Sequence, residues 1–212
     1  MYIGIAATIA AAHSLDRVVL GENGIMAINC PLTLGRVAGF STRTAHPDLL
    51  SRMETIFSSV LGTQLQIANP LLPFTKAEVV KTLANHCGAA LIRKLHSCWI
   101  ARQAHHCGHC VPCLVRRFAT EASGITDVTY ADDAFNQPGA LTDESFASVG
   151  DYLLYVRKFR TASDEDLLFD FPDLNVGSAV TSVDDLIKLH RKWAKQVEGV
   201  IKRYPQLRTL YN

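Results

Sequence analysis

The chain lacks any apolar run long enough to span a bilayer. Its longest N-terminal one, residues 3–12, falls well short of the roughly 20 residues a crossing helix needs. No Lys or Arg precedes that run, so it also lacks the charged start of a signal peptide. Net charge is nearly absent, +1 over 212 residues, which argues against a general polyanion binder. Between Glu78 and Glu121 there is no acidic residue, and from 79 to 120 the aromatics are only Trp99 and Phe118. Platforms for stacking bases are therefore missing where the chain is most basic, and nucleic acid is set aside as a partner. There is no internal repeat and no low-complexity segment. Together these absences exclude a charged disordered tail, a collagen-like chain and a disulfide miniprotein. They predict a soluble, cytoplasmic protein with no membrane partner.

What is present is unevenly placed. Residues 1–120 carry a net +6, residues 121–173 a net −9 and residues 174–212 a net +4. Two readings of the basic stretch stand: a surface facing an anionic substrate, or a face that pairs with the acidic block. Residues 3–15 read as a buried Ala-rich helix and 17–20 as a short buried strand. Residues 47–61 have helical spacing, with Leu49, Leu50, Met53, Ile56, Phe57, Val60 and Leu61 on one face. Residues 65–68 suit a second strand. Thr75 followed by Glu78 is a capping box that starts a helix, and Ser182 followed by Asp185 starts another. The stripe Leu186, Ile187, His190, Trp193, Val197, Val200, Ile201 and Tyr204 marks that last helix as core or interface, with His190 a structural histidine. Residues 131–150, which contain Asn136, Gln137, Pro138 and Gly139, read as a loop or linker.

Four of the six cysteines lie within sixteen residues, Cys98, Cys107, Cys110 and Cys113. Two consecutive two-residue gaps let tight turns present sulfurs to one ion, and Gly108 sits where the backbone must bend. A four-thiolate zinc site is favoured. An iron–sulfur cluster uses the same donors, and a redox dithiol would need only two of them. His96, His105, His106 and His109 crowd the segment as substitute ligands. Arg116 and Arg117 would balance the charge of a zinc tetrathiolate or bind an anionic substrate. Cys30 and Cys87 have no partner at metal spacing and read as structural. Four thiolates leave no open coordination position, so the site would hold loops together and not activate water.

Residues 21–44 form a long polar stretch rich in Gly, Asn, Ser and Thr, of the kind that is uncommon unless it does something. Glu22 and Asn23 could read the edge of a planar heterocycle, or Asn23-Gly24 is simply a turn. Arg36, Arg43 and the hydroxyls before Pro47 make an anion cradle, or an N-cap with an exposed arginine. Lys76 would neutralise a phosphate, or is a surface lysine.

In order along the chain stand GENG (21–24), PLTLGR (31–36), STRTAHP (41–47), FTKAEVV (74–80), SCW (97–99) and CGHCVPCLVRR (107–117). Over roughly residues 1–120 this ordered set resembles the 7-cyano-7-deazaguanine synthase family of the queuosine pathway. Within that family it is most similar to the synthase-like proteins of antiviral defence systems. The resemblance implies an α/β chain with a partial adenine-nucleotide α-hydrolase-like (PP-loop) fold, a four-cysteine zinc segment and a C-terminal helical region. Residues 1–125 would be the synthase-like domain with its zinc site at 98–113. Residues 126–180 would be an acidic, loop-rich segment and 181–212 a C-terminal helix.

The implied chemistry is activation by ATP and Mg²⁺ of the carboxylate of a 7-carboxy-7-deazaguanine. Pyrophosphate leaves and a nitrogen nucleophile attacks the acyl adenylate. On this resemblance Cys98, Cys107, Cys110 and Cys113 match the family's Zn²⁺ ligands, and Glu22, Asn23, Arg36, Arg43 and Lys76 would contact substrate or phosphate. The family's Ser-Gly-Gly-x-Asp-Ser pyrophosphate loop does not occur in these residues. The expectation is therefore that the first strands of the fold are lacking, and that another protein chain or a missing N-terminal segment supplies the loop. The sheet should then be incomplete, with an edge or apolar face that seeks a partner. The other reading is a non-catalytic, zinc-stabilised subunit that binds the base.

Overall fold

The computed structural model describes residues 2–31, 45–100, 105–176 and 180–212. These are mostly helical, with one small sheet. Helix α1 (Tyr2–Ala12) leads into strand β1 (Arg17–Val19) and the short helix α2 (Gly24–Ile28). Helix α3 (Pro47–Leu61) starts on a proline at its first position and stops at Gly62, whose φ of 65° only glycine adopts cheaply. Strand β2 (Gln66–Ala68) then pairs in parallel with β1, Val18 opposite Ile67. Helix α4 (Lys76–Cys87) carries the expected capping box: Thr75 Oγ1 accepts from Glu78 N–H while Glu78 Oε2 accepts from Thr75 N–H. The short α5 (Ala89–Lys94) follows.

The second half is a helical body: α6 (Val111–Ala122), α7 (Asp143–Thr161), α8 (Asp164–Asp170), α9 (Val183–Ile201) and α10 (Pro205–Tyr211). Its core is aromatic. Phe118 stacks on Tyr152 with centroids 5.1 Å apart, and Phe159 stacks on Phe171 at 4.8 Å. Trp193 meets both Tyr152 and Phe159 edge-on. The stripe is buried along α9 from Leu186 to Ile201, and Tyr204 beyond the helix is half-buried. His190 is fully enclosed, with Nδ1 2.8 Å from Leu186 O and its ring stacked on Phe159. Burial pushes its pKa down to about 4.

The described residues hold one two-stranded parallel sheet, and their other regular elements are helices. Two expectations need correction. The first helix and strand form but are not buried. Only Ile3, Ala7 and Ala10 of α1 are covered, because α3 and the sheet pack on one side of it, leaving Tyr2, Ile5 and Ile9 exposed. The run 131–150 is a loop only in its first part. Asp143 begins a 19-residue helix, because Thr142 Oγ1 caps Ser145 N–H and Val149, Tyr152, Val156 and Phe159 recur on its buried face. The acidic segment thus supplies much of the core. Among the described residues no helix is long and apolar enough to cross a membrane.

Candidate metal centre and the neighbouring loop

Cys110 is the N-cap of α6, Pro112 stands at its second position and Cys113 in its first turn. The positive end of the helix dipole therefore points at two of the four sulfurs and favours their thiolate forms. The preceding turn returns Cys107 to the same place. Cys110 N–H donates to Cys107 Sγ at 3.4 Å, and Gly108 bends the chain with a φ of 98°. Cys98 closes the set from the loop after α5. The four Sγ atoms lie within 4.8 Å of one another, with Cys98–Cys110 at 3.9 Å and Cys107–Cys113 at 3.8 Å, and all four residues are buried. Four thiolates bound tetrahedrally at about 2.3 Å from one zinc stand about 3.8 Å apart, so the donor set fits Zn²⁺.

As thiols alone the cluster is electrostatically uneven. A hydrogen bond from the Cys113 thiol pulls Cys110 down to about 5 and drives Cys113 upward, while burial pushes Cys107 up to about 11. A bound dication would release the remaining protons, so affinity should rise with pH.

The sequence reading missed what braces this knuckle. Residues 130–132 run beside it: Ala131 N–H donates to His106 O and Asp132 N–H to Cys107 O, both at 2.9 Å. A Cβ on Gly108 would stand 2.1 Å from Asp132 O, so this position needs glycine for space as well as for φ. Arg116 is buried and bonded within the protein. Its guanidinium holds Asp127 at 2.6 Å and the carbonyls of Ile92 and Leu95, and so ties α5 and the Cys98 loop to α6. Burial opposes the Asp127 charge, but the bonds from Arg116 and the Tyr130 hydroxyl outweigh it and keep the carboxyl below its usual range. Arg117 pairs with Asp133 at 2.8 Å and lies 4.0 Å over the Phe135 ring. These pairs favour the reading in which the basic stretch meets the acidic block. Three nearby histidines are bonded within the protein, two to backbone and one to a side chain. His106 Nε2 accepts from Ser97 N–H, His96 Nε2 lies 2.9 Å from Cys98 O, and His109 Nδ1 lies 2.6 Å from Ser145 Oγ.

The residues expected to meet substrate divide three ways. Arg36 and Arg43 lie outside the described residues. Asn23 is buried and caps the helix α2, its Oδ1 accepting from Met26 N–H, a local role that is neither a substrate contact nor a simple turn; Glu22 beside it is exposed. Lys76 is half-buried at the start of α4, near Trp193 and Phe118. The structure does bring the two motifs together: Gly24 N–H donates to Phe74 O at 3.0 Å, and a Cβ on Gly24 would strike Leu72 O. A groove of about 500 Å³ opens there, lined by Leu71, Phe74, Val79 and His86, and Leu71 touches the Gly21 position.

Residues 42–124 match the family model of the queuosine biosynthesis protein QueC, a segment that covers less than half of the chain and contains the whole cysteine cluster. Over that segment the chain is similar to the 7-cyano-7-deazaguanine synthase family. No curated protein and no solved structure matches the chain.

Proposed function

From the QueC family assignment of residues 42–124 we propose that this chain is a 7-cyano-7-deazaguanine synthase-like protein acting in antiviral defence. The reaction is ATP- and Mg²⁺-dependent activation and amidation of a 7-carboxy-7-deazaguanine-type carboxylate. The observation that carries the reading is the family match over the segment in which four buried cysteines converge. Zn²⁺ held by Cys98, Cys107, Cys110 and Cys113 joins the Cys98 loop to α6 and leaves no coordination position for substrate. The groove beside Phe74 suits the flat face of a heterocycle, and the exposed carboxylate of Glu22 suits the donors on a purine-like edge. Arg36, Arg43 and Lys76 supply positive charge toward phosphate or carboxylate.

Stabilising the charge of a departing pyrophosphate needs oriented N–H donors. The chain contains no Ser-Gly-Gly-x-Asp-Ser to provide them, so the reading assigns that loop to a partner chain or a further N-terminal segment. The test is pyrophosphate release and AMP formation by the zinc-loaded chain together with its natural partner, with ATP, Mg²⁺ and 7-carboxy-7-deazaguanine. Turnover that depends on the deazaguanine supports the reading, and none with the loop present overturns it. The absent loop also favours a second reading, a zinc-stabilised subunit that binds the base without catalysis. That reading predicts deazaguanine binding by calorimetry without AMP.

A further inference from the structure

The four sulfurs of the cysteine cluster are buried, and a residue outside the family match does part of the burying. Among the described residues Tyr130 is the apolar side chain that packs against Cys98, Cys107, Cys110 and Cys113. It belongs to the acidic block, beyond the matched residues 42–124. Tyr130 also lines an open cavity of about 490 Å³, together with Arg117, Thr120, Asp127 and Asp133, and none of the four cysteines lines that cavity. The ring therefore stands between the sulfurs and solvent.

Its place is fixed from several sides. The hydroxyl donates to Asp127 Oδ2 at 2.6 Å, and Asp127 is held at 2.6 Å by Arg116, which follows Cys113 on α6. The ring is thus tied back to the helix that carries Cys110 and Cys113. The backbone just after it is bonded to the knuckle, Ala131 N–H to His106 O and Asp132 N–H to Cys107 O. The His106 ring meets Tyr130 edge-on with centroids 5.9 Å apart, and the Arg117 guanidinium lies 5.3 Å over its face. Tyr130 Cβ stands 3.0 Å from where a Cβ on Gly108 would sit, so the ring is seated against the turn between Cys107 and Cys110.

A thiolate site gives up its ion when a proton or a competing ligand reaches a metal–sulfur bond. A side chain that keeps both from the sulfurs slows that step, and groups around a metal's ligands change affinity by about ten- to a hundredfold. We propose that Tyr130 completes the metal centre as its cover. It sets how fast an ion held by the four cysteines exchanges with solvent, and Asp127 holds the cover in place. Tyr130 is no ligand itself but a positioning residue, supplied by a segment outside the family match.

The test is the rate at which the zinc-loaded chain gives up its metal to excess pyridylazoresorcinol, well below the melting temperature. Tyr130→Phe keeps the ring and removes its tether to Asp127. It should release zinc about tenfold faster, the loss of about one hydrogen bond to a charged group. Tyr130→Ala opens the cavity onto the sulfurs and should be faster still, by about a hundredfold over the parent. Both variants should bind as much zinc as the parent and, loaded with Co²⁺ instead, show the parent's sulfur-to-metal absorption, because all four cysteines remain. Tyr204→Phe is the matched control. It removes a hydroxyl bond of the same 2.6 Å, to Glu121, from a ring that packs on Phe135 and not on the cysteines. It should leave the release rate as it is. A parent rate in Tyr130→Phe, an equal rise in Tyr204→Phe, or a Tyr130→Ala no faster than Tyr130→Phe overturns the proposal. The two Phe variants keep their rings, so their comparison decides the matter even where Tyr130→Ala fails to fold. The inference rests on the zinc assignment and not on the synthase reaction. A chain that takes up no zinc overturns that assignment and the proposal together, whereas zinc release governed by Tyr130 without pyrophosphate release fails only the catalytic reading.

Discussion

At Gly108 two demands fall on one residue. Its φ of 98° is costly for any side chain, and the space where a Cβ would sit is taken by Asp132 O. Gly108→Ala should therefore cost more than the about 1–2 kcal/mol of a left-handed residue alone, and should lower bound zinc. Thermal unfolding and elemental analysis of the purified variant check both. At the cluster itself, Cys107→Ser with Cys110→Ser removes one sulfur from each close pair. The double variant should lose its metal and melt well below the parent; unchanged metal content would contradict the assignment. His190 makes a different kind of prediction. Its folded pKa of about 4 lies below the usual value near 6.5, so the unfolded chain binds its proton more readily. Its share of stability is complete above pH 6.5 and is lost as pH falls toward 4. Urea unfolding at pH 7 and pH 5 should show the loss, and His190→Leu should flatten it.

Among the elements, helix starts were the most readable features. Thr75 with Glu78 and Ser182 with Asp185 make their caps as the spacing requires, because a cap is a local bargain between neighbouring residues. Thr75→Ala should cost about 1 kcal/mol in chemical unfolding, and more if release of Glu78 weakens its bond to Lys192 on α9. Helix α3 runs over the expected residues for the same local reason, a proline at the start and a glycine at the end. The start of α7 went unread because Pro138, Gly139 and the polar residues around them mask the cap at Thr142, and the aromatics it buries find their partners far along the chain. The strands 17–20 and 65–68 were readable as strands. That they pair with each other, with Val19 exposed among the described residues, depends on what packs beside them.

At the scale of the molecule the cysteine knuckle and the aromatic body meet through α6. Its first turn carries Cys113, and Phe118 in its middle stacks on Tyr152. Removing metal with a chelator should therefore open residues 95–132 to hydrogen exchange before α7 and α9. Loss of protection throughout the chain at once would mean that the metal holds the whole fold. By contrast, Phe159→Ala should cost about 3–5 kcal/mol, because its ring meets Phe171, Trp193 and His190 together.

The sequence alone determined the features that act over a few residues: the thiol spacing, the caps, the helix over 47–61 and the ordered motifs that mark the family of residues 42–124. Only the tertiary structure decided the uses of residues whose partners are distant. Arg116 proved to be a brace for Asp127 and the Cys98 loop, and Asn23 a cap inside the core. The acidic block became a scaffold for the knuckle, and one edge of the sheet was closed by Glu54 and Ser58. The reason is physical. Caps and turns are set by bonds between near neighbours, whereas burial and charge pairing depend on which distant surfaces the chain brings into contact.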